Sequence, residues 1–301
     1  MDGTITIGLD GSPESRAAAE WAAREAKLRG LALKIVHVWE PVPDPMVQAP
    51  LVGAETQQHW TERIPREAAG GLRRRHPGVA VTVEQLSGTP GDVLAEAAKD
   101  TELLVLGSRG LGGIGGFMIG SVGLSAVAHT GRPVVLVRAG EQAVDERETN
   151  PAGVPSAAAP FRPVVLGLDT DHPDDTLIEF AFEAAKLRAT SLRVVHGWFP
   201  PPYYAYGMPA NPPLHEALSL SEQEALAEVL RPWRQKYPDV EVVEESHYGS
   251  AAVLLVDAAQ TASLVVVGRR IRRNPLGAHI GHVTHAVLHH STAPVAVVPH
   301  D

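Results

Sequence analysis

Residues 103 to 137 read LLVLGSRGLGGIGGFMIGSVGLSAVAHTGRPVVLV. An apolar run, a glycine-dense loop, an amphipathic segment and a second apolar run follow one another, which predicts a strand, a loop, a helix and a strand. Gly107, Gly110 and Gly120 are separated by two and then nine residues, and Ser121 follows directly. Glycine lets the backbone approach a ligand closely, and amides at a helix start attract anions. Ser121 adds a hydroxyl donor and Arg109 a charge, so the pattern predicts a cradle for phosphate groups.

The spacing Gly-x2-Gly-x9-Gly-Ser/Thr after a buried strand resembles the nucleotide loop of the ATP-binding universal stress proteins. The setting strengthens the resemblance, because GSRG follows LLVL, and IGSV is followed by a helical segment and then by RPVVLV. The resemblance implies that the chain binds ATP, with or without Mg, and that nucleotide occupancy serves a stress response or signalling.

Other phosphate-binding patterns fit the same loop less well. Gly110, Gly112 and Gly115 satisfy G-x-G-x-x-G, but a dinucleotide fold places that turn in its first βαβ unit and ends the next strand on an acidic residue. Here the next strand ends on Arg138. The sequence contains no G-x-x-x-x-G-K-[ST], which excludes a P-loop NTPase. A further interpretation stays open, in which the glycines only permit an irregular surface loop.

The composition is that of an acidic globular protein. The chain has 301 residues with 44% hydrophobic content, enough for two domains with real cores. Its formal net charge of −9 argues against general nucleic-acid binding. No apolar run approaches the ~20 residues of a membrane span, and the N-terminal MDGTITIGLDGS lacks the features of a signal peptide. We therefore expect a cytoplasmic protein without membrane association, and the absence of cysteine excludes disulfides and thiolate chemistry.

The sequence contains an internal repeat. GLDGSPES, EAKLRGLALKIVHVWEP and IGSV in the first half recur as GLDTDHPDD, AAKLRATSLRVVHGWFPP and IGHV in the second. In each copy strands alternate with helices, which is typical of a parallel, doubly wound α/β sheet. We predict a first domain over residues 1–139, a linker rich in proline and alanine over 140–160, and a second domain over 161–301.

The resemblance refines this fold. It implies two tandem Rossmann-like domains, each a five-stranded parallel sheet in the order 3-2-1-4-5 with helices on both faces. It also implies a pseudo-dimer through the last strands, residues 134–137 beside residues 295–298. A homodimer and an unidentified protein partner are compatible with it.

In such a sheet the ligand crevice lies at the carboxyl ends of the first and fourth strands. The resemblance assigns the adenosine side to Asp10, Gly11, Ser12 and the Val38 backbone. It assigns the ribose and phosphates to the segment that contains Gly107, Arg109, Gly110, Gly120, Ser121 and Val122. Taken alone, Asp10 in Asp-Gly-Ser-Pro is more readily a turn-forming residue, and its position opposite Gly107 favours the site. Ser12 is also expected to cap a helix that begins at Pro13 and ends at Gly30.

The second copy departs from the motif. It keeps Asp169, Gly268 and Gly281, but Ile271 replaces the second glycine and His282 replaces the serine. A β-branched residue resists positive φ, and the lost hydroxyl removes a hydrogen bond to phosphate. We expect this site to be the weaker one, with about one nucleotide per chain.

Basic residues are expected in the second loop and on the helix that follows it. One cluster is interpreted either as a solvated charge run or as a phosphate or partner contact: Arg269, Arg270, Arg272 and Arg273. A second has helical spacing and is interpreted as rim histidines rather than a metal site, because no carboxylate is adjacent: His279, His282, His285 and His289. His37 and His196 lie in apolar strands, where we expect hydrogen-bonded histidines of the core or of the crevice edge.

The sequence shows no Ser/His/Asp order, paired-carboxylate motif or HExxH, so we assign no catalytic and no metal-binding residue. The leading hypothesis is a nucleotide-dependent binding and signalling module. One alternative is a slow ATP-hydrolysing or adenylate-transferring enzyme on the same fold, although GLDGSPES lacks the His or Lys signature that such transferases carry near the first strand. The other alternative is a nucleotide-free dimerisation protein.

Overall fold

The computed structural model describes residues 3–40, 54–108, 119–149, 156–200, 212–271 and 280–301, with the backbone alone for residues 54–62. The chain divides into two compact units, Met1–Gln142 and Ala143–Asp301. Among the described residues, no helix is long and apolar enough to cross a membrane.

In the first unit, strands and helices alternate along the described chain. They are β1 (Thr4–Gly8), α1 (Pro13–Arg29), β2 (Ala32–Trp39), α2 (Ala54–Arg75), β3 (Val81–Ser87), α3 (Pro90–Ala97), β4 (Leu103–Ser108), α4 (Ser121–His129) and β5 (Val134–Arg138). The strands lie in the order β3-β2-β1-β4-β5, and every pair of neighbours is parallel. The predicted order 3-2-1-4-5 is therefore confirmed in this unit.

The second unit repeats the pattern. Its elements are β6 (Val164–Gly167), α5 (Asp175–Arg188), β7 (Leu192–Trp198), α6 (Pro212–Lys236), β8 (Val242–Tyr248), α7 (Ala251–Ala258), β9 (Leu264–Arg270), α8 (His282–His290) and β10 (Val295–His300). The order β8-β7-β6-β9-β10, again with parallel neighbours, corresponds position by position to that of the first unit. The two tandem Rossmann-like halves that the repeat predicts are both present.

The central strands are buried because helices cover them. Ile5, Leu104 and Val135, on β1, β4 and β5, are completely buried, as expected for parallel strands that read as continuous apolar runs. In contrast, β3 at the sheet edge exposes most of its side chains. The carboxyl ends of β1 and β4, between which the crevice is predicted, therefore lie at the buried centre of the sheet rather than at its exposed edge.

Helix α1 begins and ends where its sequence predicts. The Ser12 side chain accepts a hydrogen bond from the Ser15 backbone N–H at 3.1 Å, Pro13 is the first helical residue, and Gly30 closes the helix with φ +68°. A serine cap satisfies an N–H that the first turn leaves without a partner, and glycine adopts the left-handed conformation without strain. This cap fixes the turn that follows β1, which borders the crevice.

The segment between the repeats makes specific contacts where it is described. Arg147 forms an antiparallel bridge with Phe161, and its guanidinium lies 3.3 Å from the centre of the Phe161 ring. Glu146 is 4% exposed. The sequence of this segment has no apolar periodicity, so this packing could not be predicted from it.

Candidate functional site

The first unit places a hydrogen-bonded turn directly after β1. Asp10 Oδ1 accepts from the Ser12 hydroxyl at 2.6 Å and from the Ser12 backbone N–H at 2.9 Å. Desolvation of the Asp10 carboxyl acts to raise its pKa, but the hydrogen bonds from Ser12 outweigh it, so the pKa of Asp10 lies below its ordinary value. Asp10 is thus a turn-forming aspartate and also an ionised acceptor at the carboxyl end of β1.

Gly11 and Ser15 complete this turn. Gly11 has φ +86°, and its N–H donates to the Ser15 hydroxyl at 3.1 Å. The Ser15 hydroxyl donates in turn to the Ser12 carbonyl at 3.1 Å. Because left-handed backbone favours glycine, a side chain at position 11 would strain the turn that presents Asp10.

A buried histidine ends the β1–β2 ladder. The register of these strands finishes at Gly8 with Val36, and the last ladder bond runs from the Leu9 N–H to the Val36 carbonyl at 2.9 Å. His37 is 6% exposed, and its Nδ1–H donates to the Leu9 carbonyl at 2.6 Å. In a continuing parallel ladder that carbonyl would accept from the Val38 N–H. The imidazole therefore occupies the acceptor that the next backbone amide would use.

Val38 is left with a free backbone edge. Backbone groups of alternate residues point to opposite sides of a strand, and the Val36 carbonyl points towards β1. The N–H and C=O of Val38 point the same way, beyond the end of β1, while β2 stays paired with β3 as far as Trp39 with Ser87. Within the described part of the chain, these two groups have no hydrogen-bond partner. A donor and an acceptor thus lie side by side at the crevice.

Gly107 has a packing role. A Cβ at this position would lie 2.6 Å from the Glu14 carbonyl carbon and 2.7 Å from the Ser15 nitrogen. Real Cβ atoms do not come this close to backbone, so only glycine lets the first turn of α1 rest on the end of β4. The glycine at the end of β4 brings the Asp10 turn and β4 together to form the crevice.

The start of α4 presents the amides of a first helical turn. Gly120 is the N-cap with φ −64° and has no side chain with which to cap the helix, and the first turn begins at Ser121 and Val122. Ser121 is exposed. An uncapped helix start leaves N–H groups that suit an anion. Arg109 and Gly110, which were also predicted to contribute, lie outside the described residues.

The second unit reproduces the same local architecture with other side chains. Asp169 Oδ1 accepts from the Asp171 N–H at 3.1 Å, as Asp10 does from Ser12. His196 Nδ1–H donates to the Leu168 carbonyl at 3.0 Å, as His37 does to Leu9. The backbone edge that this frees belongs to Gly197, which lines the crevice. Both His37 and His196 are buried and hydrogen-bonded, which confirms the prediction of hydrogen-bonded histidines of the core or of the crevice edge.

This second crevice is a cavity of about 560 Å³. Gly268, Gly281 and His282, which the repeat predicts to lie together, all line it. A Cβ at Gly268 would lie 2.6 Å from His300 Nε2, whereas a Cβ at Gly281 would meet open space. His282 begins α8, whose N-cap Gly281 provides no side-chain hydrogen bond. His172 and His300 also line the crevice, and the sequence analysis missed both. Their positions just after β6 and at the end of β10 could have indicated them.

The basic clusters are divided by the structure. Arg269 and Arg270 belong to β9, because β10 pairs with them through Pro299 and His300, so the expectation that both lie in a loop is wrong. Arg269 is 6% exposed, so it is not part of a solvated charge run, and its burial lowers its pKa. Arg270 is exposed and lines the crevice. Arg272, Arg273 and His279 lie outside the described residues.

The helix histidines lie close together. The rings of His285 and His289 are 4.4 Å apart. Among the described residues, no group of three or more His, Cys, Asp or Glu side chains could hold a metal ion.

Comparisons with known proteins match both halves of the chain. The profile described as the universal stress protein family matches residues 1–138 and residues 160–299. A universal stress protein of Mycobacterium tuberculosis is 34% identical over 326 residues, covering 99% of this chain and 96% of the relative. One from Mycolicibacterium smegmatis is 30% identical over 300 residues, covering 98% and 96%. The crystal structure of a universal stress protein from Archaeoglobus fulgidus covers 99% of both chains with a TM-score of 0.69 at 17% identity, which concerns the fold alone.

Proposed function

From the premise that the chain belongs to the universal stress protein family, which both of its halves match, we propose that the first unit binds ATP and that nucleotide occupancy sets the contacts of a stress-response module. The observation that carries this proposal is the free backbone edge of Val38 beside the Asp10 turn. The remaining support comes from the groups around that edge.

The Val38 edge suits adenine. Its N–H donor and C=O acceptor are adjacent and lie at the end of a rigid strand. Adenine presents a ring-nitrogen acceptor next to its exocyclic amino donor, so the base complements this pair of groups. Because the strand core is buried, the edge is held in place before the ligand arrives, which reduces the entropy lost on binding.

The other groups suit the rest of the nucleotide. Asp10 is held ionised by Ser12 and offers an acceptor for a sugar hydroxyl. The start of α4, with the Ser121 hydroxyl, offers donors for phosphate oxygens. Mg²⁺, if bound, would arrive with the phosphates, because the described residues contain no cluster of metal-ligating side chains.

A pair of proline variants tests the proposal. Val38→Pro removes the backbone N–H that points into the crevice. It removes no hydrogen bond between β2 and β3, because the β2 residues that bond to β3, such as Leu33 and Trp39, alternate with Val38. We expect ATP affinity to fall about tenfold or more, because one hydrogen bond is lost and the proline ring occupies the place of the base. Isothermal titration of the full chain with ATP measures this change.

Val83→Pro is the matched control. Val83 lies on the edge strand β3, and its N–H points away from β2, so this variant carries the same substitution in the same sheet without touching the crevice. Its ATP affinity should equal that of the wild type. Equal affinity in Val38→Pro and Val83→Pro, with both folded by circular dichroism, would refute adenine binding at this edge.

A further inference from the structure

The outer edge of β8 carries backbone groups that no described strand uses. β8 is the last strand of its unit's sheet, and β7 is its neighbour. The Leu192 N–H donates to the Glu241 carbonyl at 2.8 Å, and at the other end of the ladder the Gly249 N–H donates to a carbonyl of β7 at 2.9 Å. The odd-numbered residues of this strand therefore turn their backbone groups towards β7, and the even-numbered residues turn theirs outwards. The outward residues are Val242, Glu244, Ser246 and Tyr248.

Arg234 closes the start of this edge. Its guanidinium donates to the Val242 carbonyl at 3.1 Å and lies 2.8 Å from Glu244 Oε1. Past Val242, the part of the chain that the structure describes provides no hydrogen-bond partner for the outward N–H and C=O groups of Glu244, Ser246 and Tyr248. A row of such groups is a template for a further strand.

The carboxylates of β8 do not protect it from such pairing. Exposed edges are often kept apart by uncompensated charge. Here Glu244 is compensated by Arg234. Glu245 accepts from the Arg193 guanidinium at 2.9 and 3.2 Å. The edge is therefore open to a second strand, provided that like charges are not placed directly opposite one another.

An exposed aromatic patch adjoins the end of this edge. Tyr248 is 53% exposed and Phe199 is 64% exposed, and their ring centres are 5.5 Å apart. In the first unit the corresponding positions, at the end of β3 and after β2, are occupied by Ser87 and Glu40. The two copies of the domain thus differ at this surface, which is polar in one and aromatic in the other. Because groups of exposed aromatic rings are typical of interaction surfaces, the difference indicates a partner for the β8 edge that the β3 edge lacks.

A second copy of β8 complements this edge. Two copies related by a two-fold axis run antiparallel here and use the same surface on both sides. With the axis at Ser246, this residue faces its own equivalent, and Glu244 faces Tyr248 of the second copy. Every outward residue from Glu244 to Tyr248 then faces another outward residue, and each facing pair exchanges backbone hydrogen bonds in both directions.

Charge selects this register among the antiparallel alternatives. The axis at Ser246 also places Glu245 opposite His247 of the second copy, on both sides of the axis, so that a carboxylate faces an imidazole N–H. Such complementary cross-strand pairs stabilise a sheet, whereas like charges directly opposite one another destabilise it. An axis at Glu244 or Glu245 would place that carboxylate opposite its own equivalent. The register centred on Ser246 avoids this repulsion.

We propose that the chain forms a homodimer through β8, with the two copies of this strand antiparallel and centred on Ser246. The first unit does not offer the same interface, because β3 carries Glu84 and Leu86 where β8 carries Glu245 and His247. β8 lies at the opposite edge of its unit's sheet from β10, so this dimer is distinct from the predicted pairing of the last strands. It does not depend on nucleotide binding in the first unit.

Ser246→Pro tests the backbone part of the interface. The variant removes the outward N–H at the axis but no hydrogen bond to β7, and edge strands tolerate proline. Because the axis repeats the change in both copies, both bonds between the facing residues are lost, and the dissociation constant of the dimer should rise about tenfold or more. Sedimentation equilibrium of the full chain over a series of concentrations measures this constant. Val83→Pro, which removes an outward N–H from β3, is the control and should dimerise as the wild type does.

His247→Glu tests the charge part of the interface. It places a second carboxylate opposite Glu245 on both sides of the axis, so the dissociation constant should again rise about tenfold or more. His247→Gln keeps an N–H donor and should stay within about threefold of the wild type. His247 is exposed, so we expect both variants to fold, which circular dichroism checks.

Hydrogen exchange locates the interface. In the wild type, peptides that cover β8 should exchange more slowly at high than at low protein concentration, because the dimer protects the outward amides, whereas peptides that cover β3 should not change. A wild type that stays monomeric throughout the concentration series would overturn the proposal. So would a dimer whose dissociation constant is the same in Ser246→Pro and His247→Glu as in the wild type, since that dimer would use another surface.

Discussion

Replacing His37 with leucine tests whether the imidazole ends the β1–β2 ladder. The Nδ1–H of His37 donates to the Leu9 carbonyl at 2.6 Å, and Leu9 is 3% exposed, so water does not replace a lost donor. Leucine fills similar space but carries no donor, and an unsatisfied buried carbonyl costs about 1 to 3 kcal/mol. Local opening of β1 and β2 should become easier by that amount, which corresponds to about 5- to 150-fold faster amide exchange.

Hydrogen exchange with mass spectrometry measures this change peptide by peptide. In His37→Leu, the peptides that cover β1 and β2 should exchange faster, while those that cover β6 and β7 should not change, because His196 still donates to Leu168. His37→Asn is the control, since its side-chain amide places a donor near the position of Nδ1 and should restore more than half of the protection. Unchanged exchange in His37→Leu, or equal acceleration in His37→Asn, would refute the assigned role of the imidazole.

Two further predictions concern the turn and the helix beside the crevice. Gly107→Ala would place a Cβ 2.6 Å from the Glu14 carbonyl carbon, so it should lower the free energy of unfolding, measured by urea titration, by about 1 to 3 kcal/mol. Gly131→Ala is the control, because a Cβ there meets nothing within 4 Å, and it should leave the free energy of unfolding unchanged. Equal effects of the two variants would contradict the packing role of Gly107. Asp10→Asn tests the lowered pKa of Asp10. A carboxyl whose pKa is lower in the folded than in the unfolded state stabilises the fold above the unfolded pKa of about 3.9, and this contribution is lost as the pH falls through the folded pKa. The thermal midpoint of the wild type should therefore exceed that of Asp10→Asn by less at pH 3 than at pH 5. An advantage that stays constant over this range would show that the carboxylate is not stabilised in the folded state.

Much of the fold could be predicted because the chain repeats itself. Two apolar patterns with the same order of strands and helices require two copies of one sheet, and the Ser12, Pro13 and Gly30 signals fix the ends of α1 through local chemistry. The family assignment followed from the loop spacing and is confirmed over both halves. The domain boundaries, the site residues and the pairing of the two halves through their last strands stay predictions.

The site was predicted less completely, because its groups depend on where strands end relative to one another. The Val38 edge is free because an imidazole from the neighbouring position takes the Leu9 carbonyl, and periodicity carries no such information. The resemblance assigned Gly107 to the segment for ribose and phosphates, which stays a prediction, but the packing of the α1 backbone beside Gly107 was not predicted. Arg269 was interpreted with its neighbouring arginines either as a solvated charge run or as a phosphate or partner contact, but β9 extends through it alongside β10 and it is buried. In each case a tertiary neighbour decided the role of a residue whose local sequence was ambiguous.

The direct test of ATP binding in the first unit is to identify and count the nucleotide that the protein retains after incubation with ATP. The full chain is passed through gel filtration after incubation with ATP, denatured, and the released small molecules are identified and quantified by mass. Wild type and Val83→Pro should release ATP at about one molecule per chain at neutral pH, and Val38→Pro should release far less. If wild type released no adenine nucleotide, or if Val38→Pro released as much as wild type, nucleotide binding at the Val38 edge would be contradicted.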